Sequence, residues 1–463
     1  MKKFIIFVIA IVSMSVICFG ITYVIENANS NELSDNNNLI NEIDREDNDI
    51  IVSNAIYVSP EGNDDDSGTE DKPFKTIQKA LDTVEAGGTI YVREGSYSAL
   101  NTFSSSGKKG KYITLKNYPG EKPRLTMTHE DGAIISLDGN DYIIIEGFEI
   151  CDFSSDIAYG ILLDSDESNI IIRNNIIHDI CTTDPSENGE ANAILCYGEG
   201  ITEDAAINNI LIENNDIYNN VTGWSEAVSV ARNAKYVDIV NNTVHDNTNI
   251  GIDFYGNAGY CTMPELDQPR FCTAVGNVVY NSKCDYAECA GIYVDGARDI
   301  VVEENEVYGN MYGIEIGSEE LKLDFPVKNV IVRNNLVYDN PFGGIRAGGF
   351  DVDTTGYVTD TKIYSNTLRN NGDGDGGWNG ELCFLKCDGI EVKNNIVYTN
   401  SDEYPIIGGD LPGEYVQNVT FENNTYYSPS GKDEIYFEFK GIPTYGINDF
   451  NALTGGNDVF ETK

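Results

Sequence analysis

The sequence predicts an all-β chain folded as a parallel β-helix of about ten coils, and three observations support this prediction. Short β-branched runs separated by Asn-Asn or Gly turns recur after residue 140, as in IIIRNNIIHDI (170–180) and IVVEENEVYGN (300–310). The copies align on one asparagine each: Asn175, Asn215, Asn242, Asn277, Asn305, Asn335, Asn366, Asn395 and Asn424. From Asn277 onward the steps are 28, 30, 31, 29 and 29 residues, and no unit contains a helical stretch.

Each repeat is too small to bury its own apolar face, so the copies must stack on one another. A repeat of this length with several short strands fits one coil of a parallel β-helix. A β-propeller instead needs four antiparallel strands per blade and a longer period. We expect the aligned asparagines to form a ladder at one corner, with side-chain amides bonded from coil to coil.

The first 53 residues are predicted to precede the folded domain. Two lysines lead into an apolar run, 4–25, which predicts that residues 1–26 are a signal peptide or an N-terminal membrane anchor. Residues 27–53 are rich in Asn, Asp and Glu without periodicity and predict a flexible acidic linker. We therefore expect an extracellular protein, secreted or anchored to the outer face of the cell membrane.

Residues 54–463 are predicted to form one β-helix domain. The segment FKTIQKALDTV (74–84) is the clear amphipathic helix, and it would cover the open N-terminal end of the stack. GGTIYVREGSY (87–97) predicts the first coil, so that residues 54–100 form the N-terminal cap and first coil. Residues 430–463 are predicted to close the other end.

The charge balance restricts the partners of the chain. With 75 acidic and 30 basic residues, the net charge is −45, which argues against nucleic acid and an anionic membrane surface as partners. A polyanionic substrate is disfavoured unless a cation mediates the contact. We expect a monomer whose contact with a membrane is limited to the N-terminal segment.

Ten cysteines include Cys18, which leaves nine after the predicted targeting segment, and export permits disulfides. The sequence does not fix their pairing. Candidate pairs with short spacing are Cys261–Cys272, Cys284–Cys289, Cys383–Cys387 and Cys181–Cys196. Metal binding by the cysteines is disfavoured, because no CxxC pairs with another and the chain has three histidines.

The segment YVSPEGNDDDSGTEDKPFKTIQKALDTVEAGGTIYVREGSY (57–97) resembles the opening of secreted right-handed parallel β-helix proteins related to polysaccharide lyase family 9, which are pectate lyases. The resemblance extends over residues 54–430. It implies a right-handed β-helix and an enzyme that cleaves a uronic-acid-containing glycan by metal-assisted β-elimination, with Ca²⁺ as the cofactor.

The functional residues of that family carry over in part. The calcium-binding coil of the family reads roughly Asp-Asp-Gly-x-Asp and falls on NIGID (249–253), where Asp253 is the one carboxylate. The family's catalytic lysine lies in a Gly-x-Lys frame that falls on GIYVDG (291–296), where Tyr293 replaces the lysine. The resemblance therefore implies Asp253 as a metal ligand. It also implies Tyr293, or another groove residue, as the base, with Arg346 lowering the pKa of the tyrosine.

Stacking of the repeats predicts two polar columns on one face of the helix, because residues two places apart point to the same side of a strand. The first column is Ser229, Asp253, Tyr293, Glu315 and Arg346; the second is Asp164, Tyr197, Tyr255 and Asp295. Loops that interrupt the repeat beside these columns are predicted to wall a groove: 181–192, 198–208, 256–273 and 281–290. Carboxylates, tyrosines and an arginine in one groove suit a polysaccharide.

The columns supply the candidate catalytic residues Asp253, Tyr293, Asp295, Glu315 and Arg346, and the candidate substrate-binding residues Glu226, Ser229, Tyr197 and Tyr255. Three hypotheses use them. The resemblance favours a lyase, in which Asp253 would help to bind the cation and Tyr293 or another groove residue would act as the base. A glycoside hydrolase would use two carboxylates: Asp253 with Glu315, two coils apart, for inversion, or Asp295 with Glu315, on adjacent coils, for retention. The third hypothesis is a non-catalytic carbohydrate-binding surface protein.

Overall fold

The computed structural model describes residues 54–128, 130–187, 189–259, 261, 263–320, 325–349, 351–372, 379–399 and 404–462. The predicted targeting segment and linker lie outside the described residues. Three parallel sheets run along the chain, and each strand pairs with the strand about one repeat before it and the one about one repeat after it. The chain passes through sheet 1, sheet 2 and sheet 3 in turn, so each repeat is one coil of a right-handed parallel β-helix. The predicted fold class is confirmed.

The strands of the three sheets are short, as expected for a coil with three corners. Sheet 1 contains Ala55–Val58, Thr89–Val92, Ile113–Asn117, Ile143–Glu146, Ser168–Arg173, Ile207–Glu213, Ala234–Val240, Arg270–Val275, Arg298–Glu303, Val327–Lys328, Ile331–Arg333, Val358–Tyr364, Cys387–Lys393, Val416–Gln417 and Thr420–Glu422. Sheet 2 contains Ser96–Ser98, Arg124–Thr128, Glu149–Ser155, Ile176–Thr182, Asp216–Tyr218, Thr243–His245, Val278–Tyr280, Glu306–Tyr308, Leu336–Tyr338, Thr367–Arg369, Ile396–Tyr398, Thr425–Tyr427 and Val459–Phe460. Sheet 3 contains Asn101–Thr102, Gly132–Ser136, Ile157–Leu163, Glu190–Gly198, Val228–Arg232, Ile252–Tyr255, Ala290–Asp295, Tyr312–Gly317, Gly343–Ala347, Leu382–Phe384 and Ile407–Gly408.

The aligned asparagines form the predicted ladder at the corner between sheets 1 and 2. Asn277 Nδ2 donates a hydrogen bond to Asn305 Oδ1 at 3.0 Å, and Asn305 Nδ2 donates to Asn335 Oδ1 at 3.0 Å. Asn305 Nδ2 also donates to the Ala274 carbonyl at 2.9 Å, so the buried amide is well satisfied. The ladder ends on Asp458, whose carboxylate accepts from the last asparagine.

A second ladder at the corner after sheet 2 was not predicted. Asn310 Nδ2 donates to Asn340 Oδ1 at 3.3 Å, and Asn340 Nδ2 donates to Asn371 Oδ1 at 2.8 Å. Asn371 Nδ2 then donates to Glu381 Oε2 at 2.6 Å. The sequence signal was present, because these asparagines follow the first set at a constant offset of five residues.

Short elements cover the two ends of the stack. Helix α1 (Ile77–Leu81) is shorter than the predicted 74–84, because the Thr76 side chain caps its N-terminus by accepting from the Lys79 N–H at 3.3 Å. At the other end lie an antiparallel hairpin, Tyr436–Phe439 with Ile442–Tyr445, and helix α2 (Ile447–Thr454).

Two 3₁₀ turns, Glu203–Ala205 and Pro264–Leu266, lie in loops that follow sheet 3. Among the described residues, no helix has the length and apolar character needed to cross a bilayer.

A column of stacked rings follows the outer face of sheet 2. Neighbouring ring centroids are 4.7–5.1 Å apart along the series His178, Tyr218, His245, Tyr280, Tyr308 and Tyr338. The rings cover each other's faces and leave edges to solvent, so this column stabilises the stacking of coils. It holds two of the three histidines of the chain, both away from sheet 3.

Candidate active site

The strands of sheet 3 bring the predicted first column into register. Ser229 pairs with Asp253, Asp253 with Tyr293, Tyr293 with Glu315, and Glu315 with Arg346. Pairing of this kind places consecutive members about 4.8 Å apart along the helix axis. All five side chains are at most 4% exposed. The column is therefore buried more deeply than the sequence predicted.

The second column follows the same coils two residues further along. Tyr197 pairs with Ala231, Ala231 with Tyr255, and Tyr255 with Asp295. Asp164 follows directly after the strand Ile157–Leu163 in a turn. The two tyrosines remain half-buried and accessible, whereas Asp295 is 2% exposed.

A groove of about 490 Å³ lies over this part of sheet 3. Its aromatic lining is Tyr159, Tyr197, Trp224 and Tyr255, and its acidic lining is Glu190, Glu226, Asp253, Glu288, Asp295 and Glu319. The lining residues that the structure describes include no lysine, arginine or histidine. The described lining residues therefore concentrate negative charge and include no basic side chain that would offset it.

Asp253 lies at the base of the groove in an unusual environment for a carboxylate. It is 1% exposed, and its Oδ1 has no hydrogen-bond partner. Burial raises the pKa of Asp253 well above its ordinary value, and the charges of Glu226, Asp295 and Glu319 raise this pKa further. A proton or a cation on this carboxylate would relieve both penalties.

Asp295 differs from Asp253 in having a donor for its Oδ1, which has no hydrogen-bond partner in Asp253. Its Oδ1 accepts a hydrogen bond from the Glu319 N–H at 2.9 Å, which favours the ionised form. Burial nevertheless raises the pKa of Asp295 above its ordinary value, as do the charges of Glu319, Glu315 and Glu226. The two aspartates are therefore coupled, with Asp295 the better placed to carry charge.

Two glutamates at the groove titrate near neutrality. Burial raises the pKa of Glu226 to about 7, although a hydrogen bond from Ser229 opposes the rise. The pKa of Glu319 is also raised to about 7, first by burial and then by the charge of Glu315. Glu319 is exposed as a residue, whereas its carboxylate is the part that faces the groove and is desolvated there.

Glu315 and Arg346 form an ion pair behind the groove lining. Arg346 Nη2 forms a salt bridge with Glu315 Oε1. The Arg346 guanidinium also lies 4.2 Å from the centroid of the Tyr312 ring. Glu288 completes the cluster, because its Oε2 accepts from the Tyr312 hydroxyl at 3.0 Å and lies 3.8 Å from Arg346 Nη1. Paired and buried, neither Glu315 nor Arg346 lines the groove.

Tyr293 does not fit the role of a base. Arg346 lowers its pKa, as expected, but burial and the charges of Glu315, Asp295 and Glu319 outweigh this effect and raise the pKa well above the ordinary tyrosine value. The side chain is 2% exposed and packs among Ile250, Ala290 and Tyr312. Its hydroxyl is thus held protonated in an apolar cluster.

The structure gives the candidate cysteine pairs different surroundings. Cys284 Sγ and Cys289 Sγ lie 3.1 Å apart beside the groove wall, and the hydrogen bond between them lowers the pKa of Cys284 to about 6. Cys196 is fully buried in the core, whereas Cys181 Sγ contacts the Asn219 carbonyl at the corner after sheet 2.

The remaining candidate cysteines are all buried: Cys261, Cys272, Cys383 and Cys387. Cys272 belongs to the core, whereas Cys261 Sγ lies 3.9 Å from the Gly200 carbonyl in the loops beyond sheet 3.

A cluster with metal-ligand atoms lies on sheet 2, away from the groove. Glu149, Cys151 and His178 have ligand atoms within 4.8 Å of one another. Arg124 already occupies this cluster, because its guanidinium lies 3.3 Å from Cys151 Sγ and 3.1 Å from Glu149 Oε1. A permanent positive charge at this position disfavours a metal cation there.

Sequence reasoning missed Glu319, Glu288 and Trp224 as groove residues. Glu319 had a usable signal, because it lies two residues beyond Gly317, which pairs with Asp295 in the second column. Glu288 and Trp224 reach the groove from loops, and the course of those loops carries no periodic signal.

Comparison with known proteins agrees with the β-helix fold. The sequence matches the family described as Pel9A-like, right handed beta helix region, over residues 56–373. The chain belongs to the Pel9A-like family. The uncharacterized protein YwoF of Bacillus subtilis (strain 168) is 31% identical to this family member over 402 residues, which is 82% of each chain.

One further relative of this Pel9A-like chain and one solved structure with the same fold carry functional names. Pectate lyase PEL9 of Emericella nidulans is 36% identical over 92 residues, covering 19% of this chain and 22% of the lyase. A mannuronic acid specific polysaccharide family 6 lyase from human gut microbiota superposes with a TM-score of 0.54 at 12% identity. That superposition covers 88% of this chain and 91% of the lyase, and it shows a shared fold.

Proposed function

We propose that the protein is a carbohydrate-active enzyme that hydrolyses a polysaccharide in the groove of sheet 3. The observation that carries this proposal is the set of coupled carboxylates in an aromatic-lined groove without a basic side chain among its described lining residues. Hydrolysis of a glycosidic bond needs one protonated and one ionised carboxyl group on either side of the bond. Mutual repulsion within the groove supplies both states at the same pH.

Asp253 and Asp295 are assigned the two roles. Asp253, buried and without a donor for Oδ1, retains a proton and gives it to the leaving glycosidic oxygen. Asp295, which accepts the Glu319 N–H, carries the negative charge and acts on the anomeric side as base or nucleophile. In sum, water adds its hydroxyl to the anomeric carbon and a proton to the departing oxygen.

The register sets the separation of the two aspartates. They belong to adjacent strands and are offset by two residues, because Asp253 pairs with Tyr293 and Asp295 with Tyr255. A strand spacing of 4.8 Å and a rise of 3.3 Å per residue place their backbones about 8 Å apart. This separation leaves room for one glycosidic bond between the two side chains.

A second candidate function is β-elimination, the reaction implied by the family. The observation that favours it is the unpartnered Oδ1 of Asp253 among other carboxylates, which fits an oxygen ligand of Ca²⁺. Asp253 would hold the ion with Glu226 and Asp295, and a bound calcium would neutralise the uronate and acidify its C5 proton. The described lining residues offer no lysine or arginine as a base, so the geometry favours hydrolysis.

One assay separates the two reactions. Purified protein would be incubated with neutral and uronic polysaccharides, with calcium or with chelator, and products would be measured as new reducing ends and as ultraviolet absorbance of unsaturated uronate. Hydrolysis predicts reducing ends without absorbance, insensitive to chelator and lost in Asp253→Asn and Asp295→Asn.

The matched control is Asp433→Asn, an exposed aspartate after the last coils, which should retain full activity. Absorbance that disappears with chelator would instead establish the lyase. We also propose that the protein is extracellular, secreted or anchored to the outer face of the cell membrane, because residues 1–26 are predicted to form a signal peptide or an N-terminal membrane anchor.

A further inference from the structure

Trp224 combines exposure with a fixed position. It lies between the strands Asp216–Tyr218 and Val228–Arg232, and its side chain is 51% exposed. Its Nε1 donates to the Ser186 carbonyl at 3.3 Å, and its ring lies 5.2 Å from the Tyr286 ring at an angle of 55°. A large exposed apolar surface that is also held rigid is typical of a binding site.

The support beneath Trp224 is itself anchored. The Tyr286 hydroxyl donates to the Gly223 carbonyl at 2.6 Å, which ties the loop of Tyr286 to the loop of Trp224. Tyr286 also belongs to the segment between Cys284 and Cys289, whose sulfurs are 3.1 Å apart. The indole therefore loses little freedom when a ligand binds, which lowers the entropic cost of binding.

Trp224 lines the same groove as the candidate catalytic carboxylates, together with three tyrosines. Tyr159 is held by its hydroxyl, which donates to Glu190 Oε2 at 3.2 Å. Rigid aromatic rings bury the C–H face of a sugar ring at small entropic cost, and their hydroxyls reach its polar edge. The groove thus presents four aromatic rings that can contact a sugar chain.

The charge of the groove selects the kind of sugar. Six carboxylates line it, and none of the described lining residues is a lysine or arginine. A uronate would bring a further negative charge into this partly desolvated space, where like charges repel more strongly than in water. A neutral pyranose meets no such penalty.

We infer that Trp224 forms a binding subsite for a neutral pyranose ring, and that the substrate is a neutral glycan. The inference rests on the proposed function in using the same groove, but its test measures binding and does not depend on cleavage. In this inference Trp224 supplies the contact with the sugar ring, and the surrounding carboxylates discriminate against a uronate.

Binding would be measured in chelator by calorimetry and by tryptophan fluorescence. The ligands would be neutral xylo-, gluco- and manno-oligosaccharides and, for comparison, oligogalacturonate and oligomannuronate. A neutral oligosaccharide should bind and change the indole emission. The chain has two tryptophans, so loss of the emission change in Trp224→Phe would assign it to Trp224.

Trp224→Ala should weaken binding of the neutral ligand about tenfold, which corresponds to about 1.4 kcal/mol, whereas Trp224→Phe should retain most of the affinity. Tyr445→Ala is the control, because Tyr445 is 60% exposed but lies in the C-terminal hairpin outside the groove. Thermal unfolding of each variant would verify that it folds.

Oligouronates that bind more tightly than every neutral ligand would overturn the inference, as would an unchanged affinity in folded Trp224→Ala. Binding that depends on Trp224 without any cleavage would overturn the proposed function and leave the subsite standing.

Discussion

Substitution of Glu226 by glutamine should stabilise the protein above neutral pH and leave it unchanged in acid. The folded pKa of Glu226 is raised, so between its unfolded and folded values the native state binds more protons than the unfolded state. The free energy of unfolding should therefore fall as the pH rises through about 7. Glutamine keeps the shape of the side chain and removes its negative charge, which burial and the charge of Glu319 destabilise.

The size of the effect follows from the pKa. The pKa of Glu226 rises from 4.5 to about 7, and each pKa unit corresponds to about 1.36 kcal/mol, so ionisation in the folded protein costs about 3 kcal/mol. The whole cost applies at pH 8 and almost none at pH 4.5. Carboxyl groups with lowered pKa values, such as Asp64 and Glu121, act in the opposite direction but only below about pH 4.5.

Urea unfolding at pH 5 and pH 8, with wild type and Glu226→Gln in parallel, would measure the effect. We expect the midpoint of the wild type to be lower at pH 8. The variant should recover the part of the difference that Glu226 contributes, because Asp253, Asp295 and Glu319 keep their raised pKa values. Glu434→Gln, at an exposed position outside the groove, should behave as wild type. Equal gains in the variant at both pH values would refute the electrostatic reasoning, because a packing effect does not depend on pH.

Three further predictions concern activity, the ladder and the thiols. Asp253→Asn should lower kcat by about 10²–10⁴-fold with a small change in KM, which initial rates on the neutral substrate would show; an equal rise in KM would indicate a binding role. Asn305→Ala removes hydrogen bonds to Asn277, Asn335 and Ala274 from a buried ladder and should cost about 3 kcal/mol, read by thermal unfolding; no loss would contradict the ladder's contribution. Cys284 and Cys289 should form a disulfide when the protein is oxidised, because their sulfurs are close together. Mass spectrometry should then show that they resist alkylation until a reductant is added; labelling without reductant would exclude the disulfide.

The repeat signal was sufficient to predict the coils and the columns of sheet 3. Once the asparagines fixed the register, the alternation of side chains placed Asp253 and Tyr293 on one face, as the pairing of their strands shows. The depth of the site was not predictable in the same way. Glu315 and Arg346 are covered because Glu288 arrives from a loop and binds Arg346 and Tyr312, and loop paths leave no periodic trace in the sequence.

The pKa values also could not be predicted from the sequence. Tyr293 and Arg346 are two coils apart, and their proximity predicted a lowered tyrosine pKa. In the structure Arg346 still lowers the pKa of Tyr293, but burial and the nearby carboxylates outweigh it, so the net shift is upward. Burial and the order of pairing depend on three-dimensional packing, which residue spacing alone does not specify.

The asparagine ladder has an evolutionary consequence. Successive asparagines of the ladder are 40 residues apart between Asn175 and Asn215, 27 to Asn242 and 35 to Asn277. The hydrogen bond between their side-chain amides is nevertheless the same at every step. Insertions and deletions must therefore be absorbed elsewhere, in the loops that flank sheet 3 and line the groove. Changes in the length of these loops can therefore alter the binding surface during evolution without changing the geometry of the β-helix.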